Sequence, residues 1–137
     1  MCEKLTIKIG TMETINHEYY VSSEVANLLK EAGFDWECEH PYFNGVFDYD
    51  LYEPDNFLDT PYQIAAPTLD VAQRWLREVK KMYIEVQVFS DSNINDVRYG
   101  VNIENSRIAT PELCNTYEEA QEAGIKKVLE IILEKGE

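Results

Sequence analysis

The two alternating runs Tyr83-Ile84-Glu85-Val86-Gln87-Val88-Phe89 and Val97-Arg98-Tyr99-Gly100-Val101-Asn102-Ile103-Glu104 decide how this chain folds. Apolar residues recur at every second position: Ile84, Val86 and Val88 in the first run, and Val97, Tyr99, Val101 and Ile103 in the second. A period of two puts them on one face of a strand and their polar neighbours on the other. The polar link Ser90-Asp91-Ser92-Asn93-Ile94-Asn95-Asp96 suits a hairpin loop, so the runs are expected to pair antiparallel with one face in solvent. The other face needs a cover.

Three helical patterns supply one. Thr116 followed by Glu119 is a capping box, and Tyr117, Ala120, Gly124, Ile125, Val128, Ile131 and Ile132 then share a face. Glu119, Glu122, Lys126 and Glu130 point away from it, with Glu122 and Lys126 in the favourable order for a spacing of four. Gly124 in mid-helix costs about 1 kcal/mol against alanine, and on the apolar face it predicts close approach to the sheet. A second helix is expected to open at Ala66-Pro67-Thr68, with proline in its first turn. Leu69, Ala72, Leu76, Val79 and Tyr83 form its inward side and Arg74, Arg77 and Lys81 the opposite side, while Trp75 and Met82 on the flank await cover. A third begins after the N-cap Ser22, turns Val25, Leu28, Leu29 and Ala32 inward and Glu24, Asn27 and Glu31 outward, and stops at Gly33, with Phe34 folding back on Leu29. Leu5, Ile7 and Ile9 alternate as a further short strand closed by Gly10. The expectation is an α+β fold, one domain over residues 1–137, in which an antiparallel sheet carries three helices packed mainly on one face.

Between Lys30 and Arg74 there is no Lys or Arg, yet the stretch holds ten carboxylates and nine aromatic rings. Within it Tyr42-Phe43-Asn44-Gly45-Val46-Phe47 places Asn-Gly between two aromatic runs, the signature of a type I′ hairpin with strands near 38–43 and 46–50. The hairpin either extends the main sheet or lies beside it as a flap. Pro54, Pro61 and Pro67, with Asp55, Asn56 and Asp59, mark a surface loop beyond Tyr52. The stretch is either a partner-binding surface or an aromatic mini-core with an acidic rim. Tyr42, Phe47, Asp48, Tyr49, Asp50 and Tyr52 are its candidate contact residues, because Tyr and other aromatics are favoured at interfaces.

Charge narrows the function. The formal net charge of −14, from 26 Asp and Glu against 12 Lys and Arg, repels phosphate backbones and anionic lipid, so neither direct nucleic-acid binding nor membrane binding is expected. Cys2, Cys38 and Cys114 form no CxxC, and MCEKLTIKIG lacks a charged-then-apolar leader, so reduced thiols and a cytoplasmic location are expected.

The stretches Ala66-Pro67-Thr68-Leu69 into Trp75-Leu76-Arg77-Glu78, and Tyr117-Glu118-Glu119-Ala120 into Gly124-Ile125, resemble a group of small uncharacterised proteins of gut bacterial genomes and their phages or prophages. The resemblance extends to Tyr20-Val21-Ser22 through Gly33-Phe34 and leaves out the acidic-aromatic middle and residues 90–96. It implies a phage or mobile-element context. No functional residue comes with it.

Sites of known chemistry are not assembled in the sequence. Cys38-x-His40, with His17, Cys2 and Cys114 elsewhere, fits no zinc spacing, and no local motif makes one of the cysteines a nucleophile. Asp48 and Asp50 begin like a calcium loop, but Tyr52, Glu53 and Asp59 stand where a ligand, a glycine and a bidentate glutamate belong. Ser22-Ser23-Glu24-Val25-Ala26 opens like a helix-turn-helix, yet no recognition helix follows. Arg74, Arg77 and Lys81 are the clustered cations, read as a solvated helix face, as partners of the acidic stretch, or as a docking patch. No cofactor is expected. The leading expectation is a non-catalytic acidic accessory or protein-interaction protein of phage or mobile-element type. A nucleic-acid-mimicking inhibitor of a host DNA-binding enzyme is the alternative, and an enzyme working through paired carboxylates the third.

Overall fold

The computed structural model describes residues 17–91, 96–104, 108–109 and 113–135. The strand expected at Leu5–Ile9 lies outside them, as do Cys2 and residues 92–95 of the hairpin link.

Each helix starts where a hydroxyl side chain closes its first turn. Ser22 Oγ accepts from Val25 N (3.2 Å) at the head of α1, Ser23–Glu31, and Thr68 Oγ1 accepts from Val71 N (3.2 Å) at the head of α2, Leu69–Glu78. Thr116 Oγ1 accepts from Glu119 N (3.1 Å) at the head of α3, Tyr117–Glu134. Pro67 therefore precedes the cap of α2 instead of lying in its first turn, and its carbonyl accepts from Val21 N (3.1 Å). The Glu119 carboxylate returns to Asn115 N (3.1 Å), one residue before the cap. α1 ends as expected: Gly33 adopts φ +101°, and Phe34, buried, donates its N–H to Leu29 O (2.9 Å).

α2 stops earlier than its apolar periodicity runs. Lys81 turns left-handed (φ +59°) and Met82 N–H closes on Leu76 O (3.0 Å), so Val79 and Tyr83 leave the helix face and are exposed. Trp75 takes the interior position instead, fully buried with Phe34 edge-on at 5.4 Å. Cover from the aromatic stretch was the expectation for this ring.

The alternating runs form β4, Ile84–Asp91, and β5, Asp96–Ile103, joined by a short β6, Ile108–Ala109, in the antiparallel order β4-β5-β6. The register sets Ile84 opposite Ile103, Val86 opposite Val101 and Val88 opposite Tyr99 on one face. α3 lies on this face. A Cβ at Gly124 would stand 2.8 Å from Val101 Cγ1 and 3.0 Å from Ile84 Cγ2, the close approach that the glycine predicted. α3 begins at Tyr117, whose ring meets Tyr99 at 6.2 Å, and the hairpin beyond it leaves Val88 and Val97 exposed.

The Asn44-Gly45 hairpin belongs to a second sheet. β1, Pro41–Phe43, pairs with β2, Val46–Phe47, through a turn with positive φ at both Asn44 (+50°) and Gly45 (+83°), as a type I′ turn requires. β3, Gln63–Ala65, closes the order β2-β1-β3. This strand falls in the stretch read as loop, where three residues behind Pro61 are too few to show a period.

α1 and α2 pack on α3, and β3 on α1. One contiguous apolar cluster runs from Val21, Val25 and Leu29 through Leu69, Trp75 and Leu76 to Ile103, Ile125, Val128 and Leu129. Leu129 and Gln121 are buried on α3 where the face was expected to hold Tyr117 and Ile131, which are exposed and half-buried. Glu122 serves α1 instead of Lys126: its carboxylate accepts from Ser22 N (2.6 Å), while Lys126 Nζ lies 3.2 Å from Glu24 Oε2. No helix among the described residues is long and apolar enough to cross a membrane.

Candidate functional site

The acidic-aromatic stretch resolves into two layers because extended chain alternates its side chains. Asp35, Glu37 and Glu39 are exposed, while Trp36 between them is half-buried and Cys38 and His40 are buried. A two-residue turn makes the same division in the hairpin: Tyr42 opposes Phe47 on the inner face, and Phe43 opposes Val46 on the outer. Asp35, Glu37 and Glu39, without local counter-ions, thus face water, and Tyr42 and Phe47 face in.

Phe47 is the hub of the inner layer, with ring centroids at 5.0 Å to Tyr49, 5.1 Å to Tyr20, 5.4 Å to His40 and 5.5 Å to Tyr42. His40 Nδ1 lies between the carbonyls of Asp50 (3.0 Å) and Asp48 (3.2 Å). Both partners only accept, so Nδ1 carries the hydrogen and the ring ties down the loop after β2. Tyr42 Oη donates to Val21 O (2.6 Å); burial, then the Glu122 and Tyr49 charges, push its pKa up, and the phenol stays neutral. Asp48 holds the turn from both oxygens: Oδ1 accepts from Asp50 N (3.1 Å) and Oδ2 from Tyr52 Oη (2.5 Å). That hydrogen bond is the main cause of the raised Tyr52 pKa.

Of the six candidate contact residues, Tyr42 and Phe47 are therefore interior and unavailable to a partner in this fold. Asp48, Tyr49 and Tyr52 are half-buried and bonded within the chain, and Asp50 alone of the six is exposed. The structure brings a different set to the surface. Phe43 (47% exposed) and Val46 (68%) lie side by side as cross-strand partners, while Tyr62 (65%), whose carbonyl accepts from Asn44 N (3.1 Å), stands one residue before Gln63, the partner of Phe43, and so is out of phase with that face. Register alone separates Phe43 and Val46 from Tyr42 and Phe47, so the hairpin signature contained this distinction.

Cys38 is a buried thiol, its pKa pushed up to about 12 by desolvation, with Sγ 3.7 Å from Trp36 O. Such a thiol is neutral and a poor nucleophile at neutral pH. Among the described residues no group of three or more His, Cys, Asp or Glu is arranged to hold a metal ion. Asp55, in the loop beyond Tyr52, uses Oδ1 to accept from Phe57 N (3.2 Å). Among the described residues the cationic side of α2 forms no ion pair with the carboxylates of the acidic stretch: Arg74 bonds Glu78 of its own helix (2.8 Å) and meets the stretch through the Trp36 ring, 5.5 Å from its guanidinium.

Comparison with protein-family models, with curated proteins and with solved structures finds no match to this chain.

Proposed function

We propose that this chain is a non-catalytic interaction protein of a phage or mobile element, and that it presents the outer face of the β2-β1-β3 sheet to a basic partner protein. The observation that carries this reading is the exposure of the cross-strand pair Phe43 and Val46 on a sheet whose opposite face is fixed in the interior by Tyr42 and Phe47. A surface anchored in this way loses little conformational freedom on binding, and aromatic anchors dominate interface energies. The net charge of −14 favours a cationic partner over a second copy of the chain. The phage or mobile-element setting rests on the sequence resemblance.

Affinity capture from a bacterial lysate, run in parallel with the chain and with its Phe43→Ala/Val46→Ala variant, tests the reading. A captured protein whose measured affinity falls at least about 10-fold in the variant is the expected result. Identical capture by both forms, or no captured protein together with a monomer in solution, would refute it.

Nucleic-acid mimicry remains as a second reading because Asp35, Glu37 and Glu39 project in a row from one extended segment. Other carboxylates are committed singly within the chain: Glu122 to Ser22, Glu78 to Arg74, Asp96 to Arg98 and Glu24 to Lys126. Failure to compete with DNA for any DNA-binding enzyme at low salt would eliminate it.

A further inference from the structure

At the heads of α2 and α3 lies a cleft of about 480 Å³ that the preceding proposal does not use. Tyr19, from the 3-10 turn His17–Tyr19, and Tyr117, the first residue of α3, line it with their exposed rings. Asp70 and Glu118, in the first turns of the two helices, contribute carboxylates, and Gln121 and Thr68 complete the polar lining.

Gln121 is the informative residue. It is 98% buried by its 2% relative exposure, and its orientation is fixed by a directional chain of hydrogen bonds. Gln73 Nε2 donates to Ile84 O (2.9 Å), which leaves Gln73 Oε1 to accept from Gln121 Nε2 (2.9 Å). Gln121 Nε2 donates its second hydrogen to Asp70 Oδ1 (2.8 Å). The amide oxygen of Gln121 therefore points away from this network and accepts nothing from the described residues. No buried side-chain polar atom among the described residues lacks a partner, so this oxygen is wetted, and the cleft that Gln121 lines is its route to solvent.

The charged and amide groups of the lining only accept, namely the carboxylates of Asp70 and Glu118 and the Gln121 amide oxygen, and the rings of two tyrosines stand beside them. Thr68 Oγ1 accepts from Val71 N in the cap, and its hydroxyl, like those of Tyr19 and Tyr117, is a neutral donor. Among the described residues no Lys, Arg or His lines the cleft. The amide ends of two helices open nearby, which by itself favours an anion, but Asp70 and Glu118 already supply negative charge there. A ligand that fits must bring hydrogen-bond donors and positive charge, and aromatic walls beside carboxylates suit an organic cation. We propose that this cleft is a binding site for a guanidinium or alkylammonium group, supplied either by a basic side chain of a peptide or by a free polyamine. It does not depend on the sheet-face reading, and the two fail separately.

Amide-detected NMR titration of the full chain at 150 mM salt tests the site, with an Ac-Arg-Arg-amide peptide, spermidine and inorganic phosphate as the three probes. Shifts concentrated at Tyr19, Asp70, Tyr117 and Gln121 are expected from a cationic probe. Affinity should fall at least about fivefold in the near-isosteric variants Asp70→Asn and Glu118→Gln and in Tyr117→Leu. Tighter binding of the peptide assigns the cation to a macromolecular partner, and tighter binding of spermidine to a polyamine. Shifts scattered over the acidic surface and indifferent to these variants would overturn the proposal. So would phosphate shifting the same amides more strongly than either cation. Unchanged spectra outside the cleft show that each variant is folded.

Discussion

At the scale of single residues, Glu122 shows how a helix can be capped from another part of the chain. A capping box needs an acceptor for the N–H of the cap residue as well as for that of the third helical residue. Ser22 provides the second for Val25, but Val25 itself has no polar side chain with which to reciprocate, and Glu122 of α3 fills the gap at 2.6 Å. Glu122→Ala is expected to lower stability by about 1.5–3 kcal/mol, the range for a hydrogen bond to a charged group whose partner is left unpaired. Urea unfolding measures this. Glu119→Ala, which frees only the exposed bond to Asn115 N, should cost about 0.5 kcal/mol in the same assay. Equal losses would show that Glu122 acts only as a surface charge. Cys38 gives a second residue-level expectation. Its pKa rises from 9.0 in the unfolded chain to about 12 in the fold, so above pH 9 the unfolded state releases a proton that the folded state keeps. Stability must fall as pH rises through that window, by up to about 1.4 kcal/mol per pH unit for each such group. Tyr42, also raised by burial, joins in above its ordinary 10.0. The urea midpoint should decline from pH 9 upward, and Cys38→Ala should remove the decline between pH 9 and 10.

At the scale of elements, the contact of α3 with the sheet turns on Gly124. Gly124→Ala adds helix propensity worth about 1 kcal/mol. It also places a methyl group 2.8 Å from Val101 Cγ1 and 3.0 Å from Ile84 Cγ2, on a strand pair that cannot easily recede. Overpacking costs of about 1–3 kcal/mol outweigh the gain, so the variant should melt lower than the parent. Adding Val101→Ala makes room, and the double variant should lose less than the sum of the two single losses in thermal unfolding; strict additivity would mean that the two side chains do not meet. Much of this architecture was legible: the β4–β5 pairing from its period of two, the heads of α1 and α3 from Ser22 and Thr116, and the Asn44-Gly45 turn. β3 was not, since a three-residue strand is specified by its partner and not by its own pattern. Nor was the early end of α2, because a left-handed Lys81 carries no propensity signal. The candidate site divides along the same line. The alternation of carboxylate and ring between Asp35 and His40 was visible in the sequence. Which of the hairpin aromatics faced water required the register, and the six residues first chosen mix both faces. The α2–α3 cleft joins residues far apart in the chain, and no local pattern marks it.

At the scale of the whole molecule, charge is the dominant property that the fold leaves unbalanced. The chain carries −14, and the ion pairs observed, Arg74–Glu78, Arg98–Asp96 and Lys126–Glu24, are all partly exposed, so each contributes little. Between Lys30 and Arg74 the carboxylates, the half-buried Asp48 apart, are exposed, and the segment has no cation of its own. Compaction brings these like charges closer than they are in the unfolded chain, and the resulting repulsion opposes folding. Salt screens it, with a Debye length falling from about 30 Å at 0.01 M to about 3 Å at 1 M. Two opposing effects follow from added sodium chloride: loss of weak ion-pair attractions and relief of a repulsion spread over the surface. The second should win, so the melting temperature is expected to rise between 10 and 500 mM salt by roughly 3–5 °C, the shift that about 1 kcal/mol produces in a chain of 137 residues. A melting temperature that falls with salt would mean that attractive pairs outweigh the acidic surface. The same screening weakens capture of any cationic partner, so the chain should be least stable alone under the conditions in which it binds best. Binding at low ionic strength should then raise its melting temperature more than the same fractional saturation does at high ionic strength.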